Sequence, residues 1–184
     1  MPQLTTPHVR LHASFVSAMK EFEAEGRGLP GDGTGLGQEI REWRERWPDP
    51  GAFDAYVARL VADADESRPT SRPGWVHCTT FWYAEGDAYL GRLTVRHRLT
   101  PFLRELGGHI GYDVRASARR RGHATAMLRD ALPYARALGL DRVLVTCDTT
   151  NTASRKVIEA NGGEFEDERG GKLRYWIRTG VRGV

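Results

Sequence analysis

Apolar residues in the first part of the chain predict one short strand and two helices. Val9 and Leu11 alternate with polar neighbours, which indicates a strand. The segments 15–22 and 53–61 place apolar residues three and four positions apart, so each is expected to bury one helical face. The glycine-rich stretch 26–37 lies between them and is predicted to be a loop. A phosphate-binding role for this loop is not favoured, because no strand precedes it and no Lys-Ser/Thr pair follows it.

The second part of the chain alternates predicted strands with predicted helices, and one of the strands is apolar on both faces, which is typical of a buried strand. In chain order, the predicted elements are strands at 75–83, 88–97 and 109–115, a helix from 118, a strand at 143–147, a helix at 151–161, and strands at 164–168 and 173–177. Together with the first part, this order predicts one α/β domain over residues 1–184, with helices on both faces of a mixed sheet.

Composition excludes the disordered and membrane-spanning classes for the chain as a whole. Hydrophobic residues make up 40% of the chain and charged residues 28%, which is ordinary for a globular protein. The first ten residues lack an apolar signal-peptide core, and no apolar run reaches the length of a membrane span. We therefore expect a cytoplasmic protein with no membrane partner. Cys78 and Cys147 have no CxxC partner, which predicts two reduced thiols and no metal site.

Basic residues concentrate in one informative segment, from Arg119 to Ala124, which follows a predicted strand and opens a helix. The first amides of a helix have no internal partners and lie at the positive end of its dipole, so they can bind a pyrophosphate where Gly122 lets the backbone approach. Arginines beside it would add charge-assisted hydrogen bonds. The alternatives are a solvated arginine run and a basic helix that binds nucleic acid. The net charge of +3 gives the last only weak support, and no nucleic-acid partner is expected.

The same segment also carries a family resemblance. The motif Arg119-x-x-Gly122-x-Ala124 resembles the pyrophosphate signature Gln/Arg-x-x-Gly-x-Gly/Ala of the GNAT superfamily of N-acetyltransferases. The strand at 144–148 and the helix after it are similar to the next two elements of that family. The chain resembles a branch of predicted acetyltransferases with unassigned substrates, over 107–165 by sequence and elsewhere by topology.

This resemblance implies a GNAT-like, mostly antiparallel sheet in which two parallel strands, 109–115 and 142–147, splay apart. Acetyl-CoA, the implied co-substrate, would insert its pantetheine arm into the gap and pair with backbone groups that have no partner there. Its pyrophosphate would lie in the basic turn. The cofactor-binding residues implied by the resemblance are Tyr112, Val114, Arg115, Arg119, Arg120, Arg121, Gly122, His123, Ala124, Thr125, Asn151 and Ser154.

The reaction implied is direct attack of a neutral amine on the thioester, assisted by a base, an oxyanion donor and an acid. A backbone N–H near Val114 could polarise the thioester carbonyl. Relatives commonly place the base as a carboxylate on the splayed strand, but 109–115 contains no glutamate. His109 and Asp113 are the titratable candidates, and their alternation puts both on one face. A histidine at the start of a strand can instead bond to nearby backbone, and that alternative stays open for His109.

The residue at the position of the family's general acid differs from the family pattern. Many relatives place a tyrosine seven residues after the asparagine that Asn151 matches, and this chain has Ile158 there, which cannot donate a proton. Ser154, Tyr175 or water would then serve, or no acid is needed.

The expected function is therefore acetyl transfer from acetyl-CoA to a primary amine of a small molecule or peptide. The acceptor is expected between the N-terminal helices and the C-terminal hairpin, and a homodimer is possible. A non-catalytic acyl-CoA binding module is the alternative within the same fold, and a nucleic-acid binder is a third class.

Overall fold

The computed structural model describes residues 1–180. Within them seven strands form one sheet in the order β1-β2-β3-β4-β5-β7-β6. The strands are β1 Gln3–Thr5, β2 Cys78–Glu85, β3 Ala88–Arg96, β4 Ile110–Val114, β5 Arg142–Asp148, β6 Glu164–Arg169 and β7 Lys172–Arg178. The α-helices are α1 His12–Ala24, α2 Gly35–Trp43, α3 Pro50–Ala62, α4 His123–Ala137 and α5 Thr152–Ala160.

Neighbouring strands are antiparallel except β4 and β5, which are parallel, so the predicted mixed and mostly antiparallel sheet is confirmed. Two apolar cores cover its opposite faces. One core packs α1, α2 and α3 against side chains of β2 and β3 such as Trp82 and Tyr89. The other packs α4 and α5 against the alternate positions of the sheet, including Leu93, Val145 and Ile177. Successive strand residues face opposite sides, and a register shift opposite Tyr83 and Ala84 reverses the alternation along β3, which places Tyr89 and Leu93 in different cores.

The strand predicted at Val9 and Leu11 is wrong. Residues Val9–Leu11 form a short 3₁₀ helix, and the first strand lies earlier, at Gln3–Thr5. The imidazole of His8 accepts a hydrogen bond from the Arg10 N–H, which caps the turn. Leu11 is fully buried whereas Val9 is exposed, so only one of the two apolar residues reaches the core.

The glycine-rich segment is only partly a loop. Its last three residues, from Gly35 to Gly37, form the first turn of α2, which the apolar pattern did not predict. The hydroxyl of Thr34 accepts from the Gly37 N–H and caps this end, a role for which threonine is favoured. Burial of Leu36 and Ile40 holds the helix on the sheet, so tertiary packing outweighs the low helix propensity of glycine here.

Two element boundaries also move. The strand predicted from residue 75 begins at Cys78. The helix predicted from residue 118 begins at His123, because Arg120 and Gly122 have φ values of 59° and 78°, which a right-handed helix cannot accommodate. The buried strand β5, the helix α5 and the final hairpin agree with the prediction.

The two parallel strands meet at a single position. Ile110 pairs with Val145, and the strands separate on the side of Val114. Gly108 allows the chain before β4 to approach Leu144 on β5 closely. Its φ and ψ are 65° and −176°, a combination that is essentially restricted to glycine. A Cβ at this position would lie 2.6 Å from the carbonyl oxygen of Leu144. The predicted splay of two parallel strands is thus present, and a glycine is required where it starts.

None of the helices within residues 1–180 is long and apolar enough to cross a membrane.

Replacing Gly108 by alanine is predicted to destabilise the fold more than replacing Gly139, which also has a positive φ but has open space around it. Gly139→Ala should cost about 1–2 kcal/mol of unfolding free energy from backbone strain. Gly108→Ala should cost about 1–3 kcal/mol more, because the added methyl group overpacks against Leu144. Urea unfolding of the two variants and the parent measures the difference, and equal costs would contradict the crowding argument.

Candidate functional site

A wedge-shaped cleft opens between β4 and β5. We call the point where the strands meet, at Ile110 and Val145, the apex of the cleft. Arg115 donates its N–H to the carbonyl of Leu90 on β3, at 3.0 Å. Since backbone groups alternate in direction along a strand, those of Val114 and Tyr112 are directed to the β5 side. They line a gap that β5 does not fill.

The basic turn lies at the open end of this cleft and begins α4. Gly122 occupies the N-cap position in a left-handed conformation, and no side chain caps this end of the helix. The first helical hydrogen bond within α4 is the one from the Ala126 N–H to the Gly122 carbonyl. The amides of His123, Ala124 and Thr125 therefore lie at the positive end of the dipole without helical partners. Such an arrangement binds anions.

Two of the predicted cofactor-binding arginines have structural partners on α1 and at its C-cap, Glu25. Arg119 makes two hydrogen bonds to the carboxylate of Glu25, at 2.5 and 2.6 Å, and a third to the carbonyl of Val114. Arg115 bonds to Glu21, whose pKa falls from 4.5 to about 2, chiefly because of that hydrogen bond. These pairs tie the C-terminal part of α1 to the end of β4 and to the start of the turn. The exposed side chains of Arg120 and Arg121 project from the turn itself.

The start of α5 faces the cleft from the β5 side. Asn151 is the N-cap, and its side-chain oxygen accepts from the Ser154 N–H at 3.0 Å. The Ser154 hydroxyl lies 2.7 Å from the hydroxyl of Tyr112, which reaches across from β4. Burial raises the pKa of Tyr112 to about 12, so its hydroxyl keeps its proton at neutral pH. Ile158 is fully buried in the core, as an apolar residue should be.

The two candidate bases lie in different environments. His109 is buried, and its Nδ1 accepts a hydrogen bond from the Leu144 N–H at 2.9 Å. Burial, reinforced by Arg104 and Arg96, lowers its pKa to about 4, so the imidazole is neutral with its proton on Nε2. Taking up a second proton at Nδ1 would break the bond to Leu144. This is the backbone-bonded placement that the sequence left open, and it does not favour His109 as a base.

Asp113 instead lines a cavity of about 530 Å3 on the sheet face covered by α2 and α3. One of its carboxylate oxygens accepts from Arg27 at 2.9 Å. Ser154 and Asn151 line the same cavity, so it connects with the cleft, whereas His109 is not among its lining residues. Thr80 and Thr94 contribute hydroxyl groups to its floor, 3.2 Å apart.

A buried ion pair forms one wall of this cavity. Arg92 donates to Glu39 at 2.5 Å, and the Tyr56 hydroxyl donates to the same carboxylate at 2.7 Å. Burial alone would raise the pKa of Glu39, but the adjacent charges of Arg92 and Arg59 hold it below its usual value. A paired and hydrogen-bonded carboxylate can remain ionised in such a place. The pair holds α2 on β3 and keeps the cavity wall polar.

The charged wall was not predicted from the sequence. Arg92, Thr94 and Arg96 are polar and alternate along β3, so they lie on one face of the strand. This alternation is the signal that could have indicated a polar face in the sequence. Glu39 and Arg27 could not be associated with that face, because they reach it through α2 and the loop before it. Trp47 is buried in the apolar core and does not line the cavity.

No group of three or more His, Cys, Asp or Glu side chains within residues 1–180 is arranged to hold a metal ion. Cys78 and Cys147 are free thiols.

A family model described as Acetyltransferase (GNAT) domain matches residues 36–164, which is more than half of the chain. The chain belongs to the GNAT acetyltransferase family. The matched range contains the cleft, the basic turn of the GNAT signature and the cavity residues of α2 and β3. The family resemblance carried by Arg119, Gly122 and Ala124 is thereby confirmed.

Solved structures with the same fold include several GNAT acetyltransferases. RimJ of Mycobacterium smegmatis, solved with a CoA disulfide, is 22% identical with a TM-score of 0.65, over 96% of this chain and 81% of RimJ. The microcin C7 self-immunity acetyltransferase MccE, solved with acetyl-CoA and AMP, is 11% identical with a TM-score of 0.63, over 96% and 92% of the two chains. A GNAT-family acetyltransferase from Streptococcus pneumoniae is 17% identical with a TM-score of 0.62, over 98% and 100%. No curated protein matches the sequence.

The link between α1 and the turn predicts a pH dependence of stability. The folded-state pKa of Glu21 is about 2, below its ordinary 4.5, so its ionised form contributes stability above pH 4.5 that is lost as the pH falls toward 2. Glu21→Gln should therefore lose less unfolding free energy than the parent across this range. Glu45→Gln, which alters a glutamate that is 90% exposed, is the matched control and should keep the parental slope. Urea unfolding at several pH values measures this slope, and a parental slope in Glu21→Gln would contradict the assignment.

Proposed function

We propose that this protein transfers the acetyl group of acetyl-CoA to a primary amine of a small molecule or peptide. The observation that carries the proposal is the cleft between β4 and β5, which leads from its apex to the uncapped N-terminus of α4. Membership of the GNAT family and neighbours solved with CoA or acetyl-CoA support the same conclusion.

In this proposal the pyrophosphate of acetyl-CoA binds the turn 119–125. The free amides of α4 and the exposed side chains of Arg120 and Arg121 are the groups that suit it. The pantetheine arm lies in the cleft and pairs with the Tyr112 carbonyl and the Val114 N–H, which lack strand partners on that side. Arg115 and Arg119 act through the position of the turn, since their guanidinium groups bond to α1.

The thioester then lies near the apex, between the cavity and the cleft. The amine nitrogen attacks the thioester carbon, the carbonyl oxygen takes up negative charge near the cleft-directed N–H of Tyr112, and the C–S bond breaks as the amide forms. Asp113 removes a proton from the amine directly or through water, because it is the candidate base that lines the cavity. Tyr112 protonates the departing thiolate through the Ser154 hydroxyl, which lies 2.7 Å away. Tyr112 and Ser154 would thereby replace the tyrosine that many relatives carry at the position of Ile158.

A non-catalytic acyl-CoA binding module is the second candidate. It is favoured by Ile158 at the acid position and by Arg27, whose hydrogen bond occupies one carboxylate oxygen of Asp113. Both candidates require the same cofactor site and differ only in turnover. Thiol release from acetyl-CoA over a panel of amines, amino acids and aminoglycosides separates them, because the second candidate gives cofactor binding without release.

Acetyl-CoA at saturating concentration should raise the melting temperature of the protein, since a ligand that binds only the native state stabilises it. Gly122→Glu should abolish most of this increase, because the added carboxylate would occupy the anion site. Gly139→Glu is the matched control: it introduces the same side chain at a positive φ in open space, at the far end of α4, roughly 20 Å away. If both variants keep the parental increase, the pyrophosphate does not bind at this turn.

The proton-transfer roles give a second prediction. Asp113→Asn should lower kcat by about 10²–10⁴-fold while leaving acetyl-CoA binding intact, because it removes the base and not the cofactor site. Tyr112→Phe should lower kcat with retained acetyl-CoA affinity. Controls are Asp141→Asn, whose side chain is 92% exposed, and Tyr134→Phe, whose hydroxyl contacts Thr79. Steady-state kinetics and calorimetric titration measure the two quantities. Parental kcat in both Asp113→Asn and Tyr112→Phe would show that neither group transfers a proton.

A further inference from the structure

Arg96 differs from the other cationic residues of the cavity. The lining contains five cations, and four of them lie within 4 Å of a carboxylate: Arg27, Arg59, Arg92 and Lys172. Arg96 is the fifth, and within residues 1–180 it has no carboxylate partner. Its Nη1 donates to the carbonyls of Gly107 and Gly108, at 3.0 and 3.1 Å. The lining therefore carries one positive charge that no protein carboxylate neutralises.

The environment of Arg96 makes that charge costly. Burial lowers the pKa of its guanidinium, Arg92 lowers it further, and only Cys78 acts in the opposite direction. An arginine stays charged in a protein, so the cost appears as unfavourable solvation that an anion could relieve. The bonds from Nη1 use one edge of the planar group. The guanidinium carries further N–H donors, which suit the paired oxygens of an oxyanion.

The guanidinium also lies beside the apex of the cleft. Gly111 follows Ile110, where the strands separate, and leaves space because it has no side chain. The atoms nearest to a Cβ built on Gly111 are Nη2 and Nη1 of Arg96, at 3.8 and 3.9 Å. A ligand group bound by Arg96 would therefore lie close to the place where the proposed thioester sits. The hydroxyls of Thr80 and Thr94, on the same floor, add hydrogen-bonding capacity.

We propose that the acetyl acceptor is a small primary amine that carries an oxyanion, either carboxylate or phosphate, and that Arg96 binds this oxyanion while the amine faces the thioester. This inference rests on the proposed acetyl transfer and specifies its substrate class. Arg96 is in this account a specificity-determining residue. A cavity of about 530 Å3 is in the range of small-molecule sites and suits such a compact acceptor.

Matched pairs of acceptors test the proposal by thiol release. Each amino acid is compared with its C-terminal amide, and phosphoethanolamine with ethanolamine. Because removing the anion also changes the pKa of the amine, each kcat/KM is referred to the concentration of neutral amine. The parent should acetylate the anionic member of a pair with a kcat/KM roughly 10- to 100-fold higher, the range expected for hydrogen bonds to a charged group. The amino acid pairs report a preference for carboxylate, and the phosphoethanolamine pair reports a preference for phosphate.

Arg96→Gln should abolish this preference by lowering kcat/KM for the anionic member only, and Arg96→Lys should retain part of it. Arg98→Gln removes an exposed arginine two residues further along, outside the cavity lining, and should keep the parental preference. Melting temperature and acetyl-CoA affinity verify that each variant is folded with its cofactor site intact. If Arg96→Gln does not fold, the graded loss in Arg96→Lys decides the question.

Two outcomes would overturn the inference while leaving acetyl transfer in place. The parent could show no anion preference, or Arg96→Gln could lose activity equally on both members of each pair, which would place Arg96 at the thioester or in the framework. If the parent acetylates no amine, the proposed function fails by itself. Calorimetric titration of the parent and Arg96→Gln with the amino acids and phosphoethanolamine then decides: binding that requires Arg96 supports the anion site, and its absence overturns it.

Discussion

The separation of β4 and β5 beyond their single paired position is the constraint on which the rest of the site depends. Ile110 and Val145 hold the strands together, and Gly108 brings the incoming chain within contact of the Leu144 carbonyl. The bond from Leu144 to His109 secures the same junction, so His109 contributes to the shape of the cleft. Past this junction, backbone groups that would normally pair within a sheet become available to a ligand.

Arginine–carboxylate pairs position the elements around this cleft. Arg115 and Arg119 bind Glu21 on α1 and Glu25 at its C-cap, which fixes the start of the basic turn against this helix. Arg92 binds Glu39 on α2, which fixes the wall of the cavity. An arginine-rich composition thus serves two purposes here. Most of the cavity cations are neutralised within the protein, while exposed arginines of the turn remain available to an anionic cofactor.

The basic turn proposed to bind the cofactor was predictable from the sequence, whereas the cavity proposed to bind the acceptor was not. The segment 114–124 runs from a strand end through a glycine to a helix start, so local pattern is sufficient to identify it. The cavity joins α2 and β3, which are far apart in the chain, through pairs such as Glu39–Arg92. The extra helix α2 was missed because packing of Leu36 and Ile40 stabilises a glycine-rich segment. The alternation of Val9 and Leu11 predicted a strand, which was wrong because the His8 imidazole caps a 3₁₀ helix at these residues.

In the proposed function, acetyl-CoA binds through backbone groups of the β4–β5 cleft and the first turn of α4. Amide hydrogen exchange with and without CoA measures this binding residue by residue, because exchange reports protection of individual backbone N–H groups. We expect CoA to slow exchange at Tyr112, Val114 and the amides from His123 to Thr125, and to leave the β6–β7 hairpin unchanged. Protection confined to other segments, or none at all in the presence of bound CoA, would contradict it.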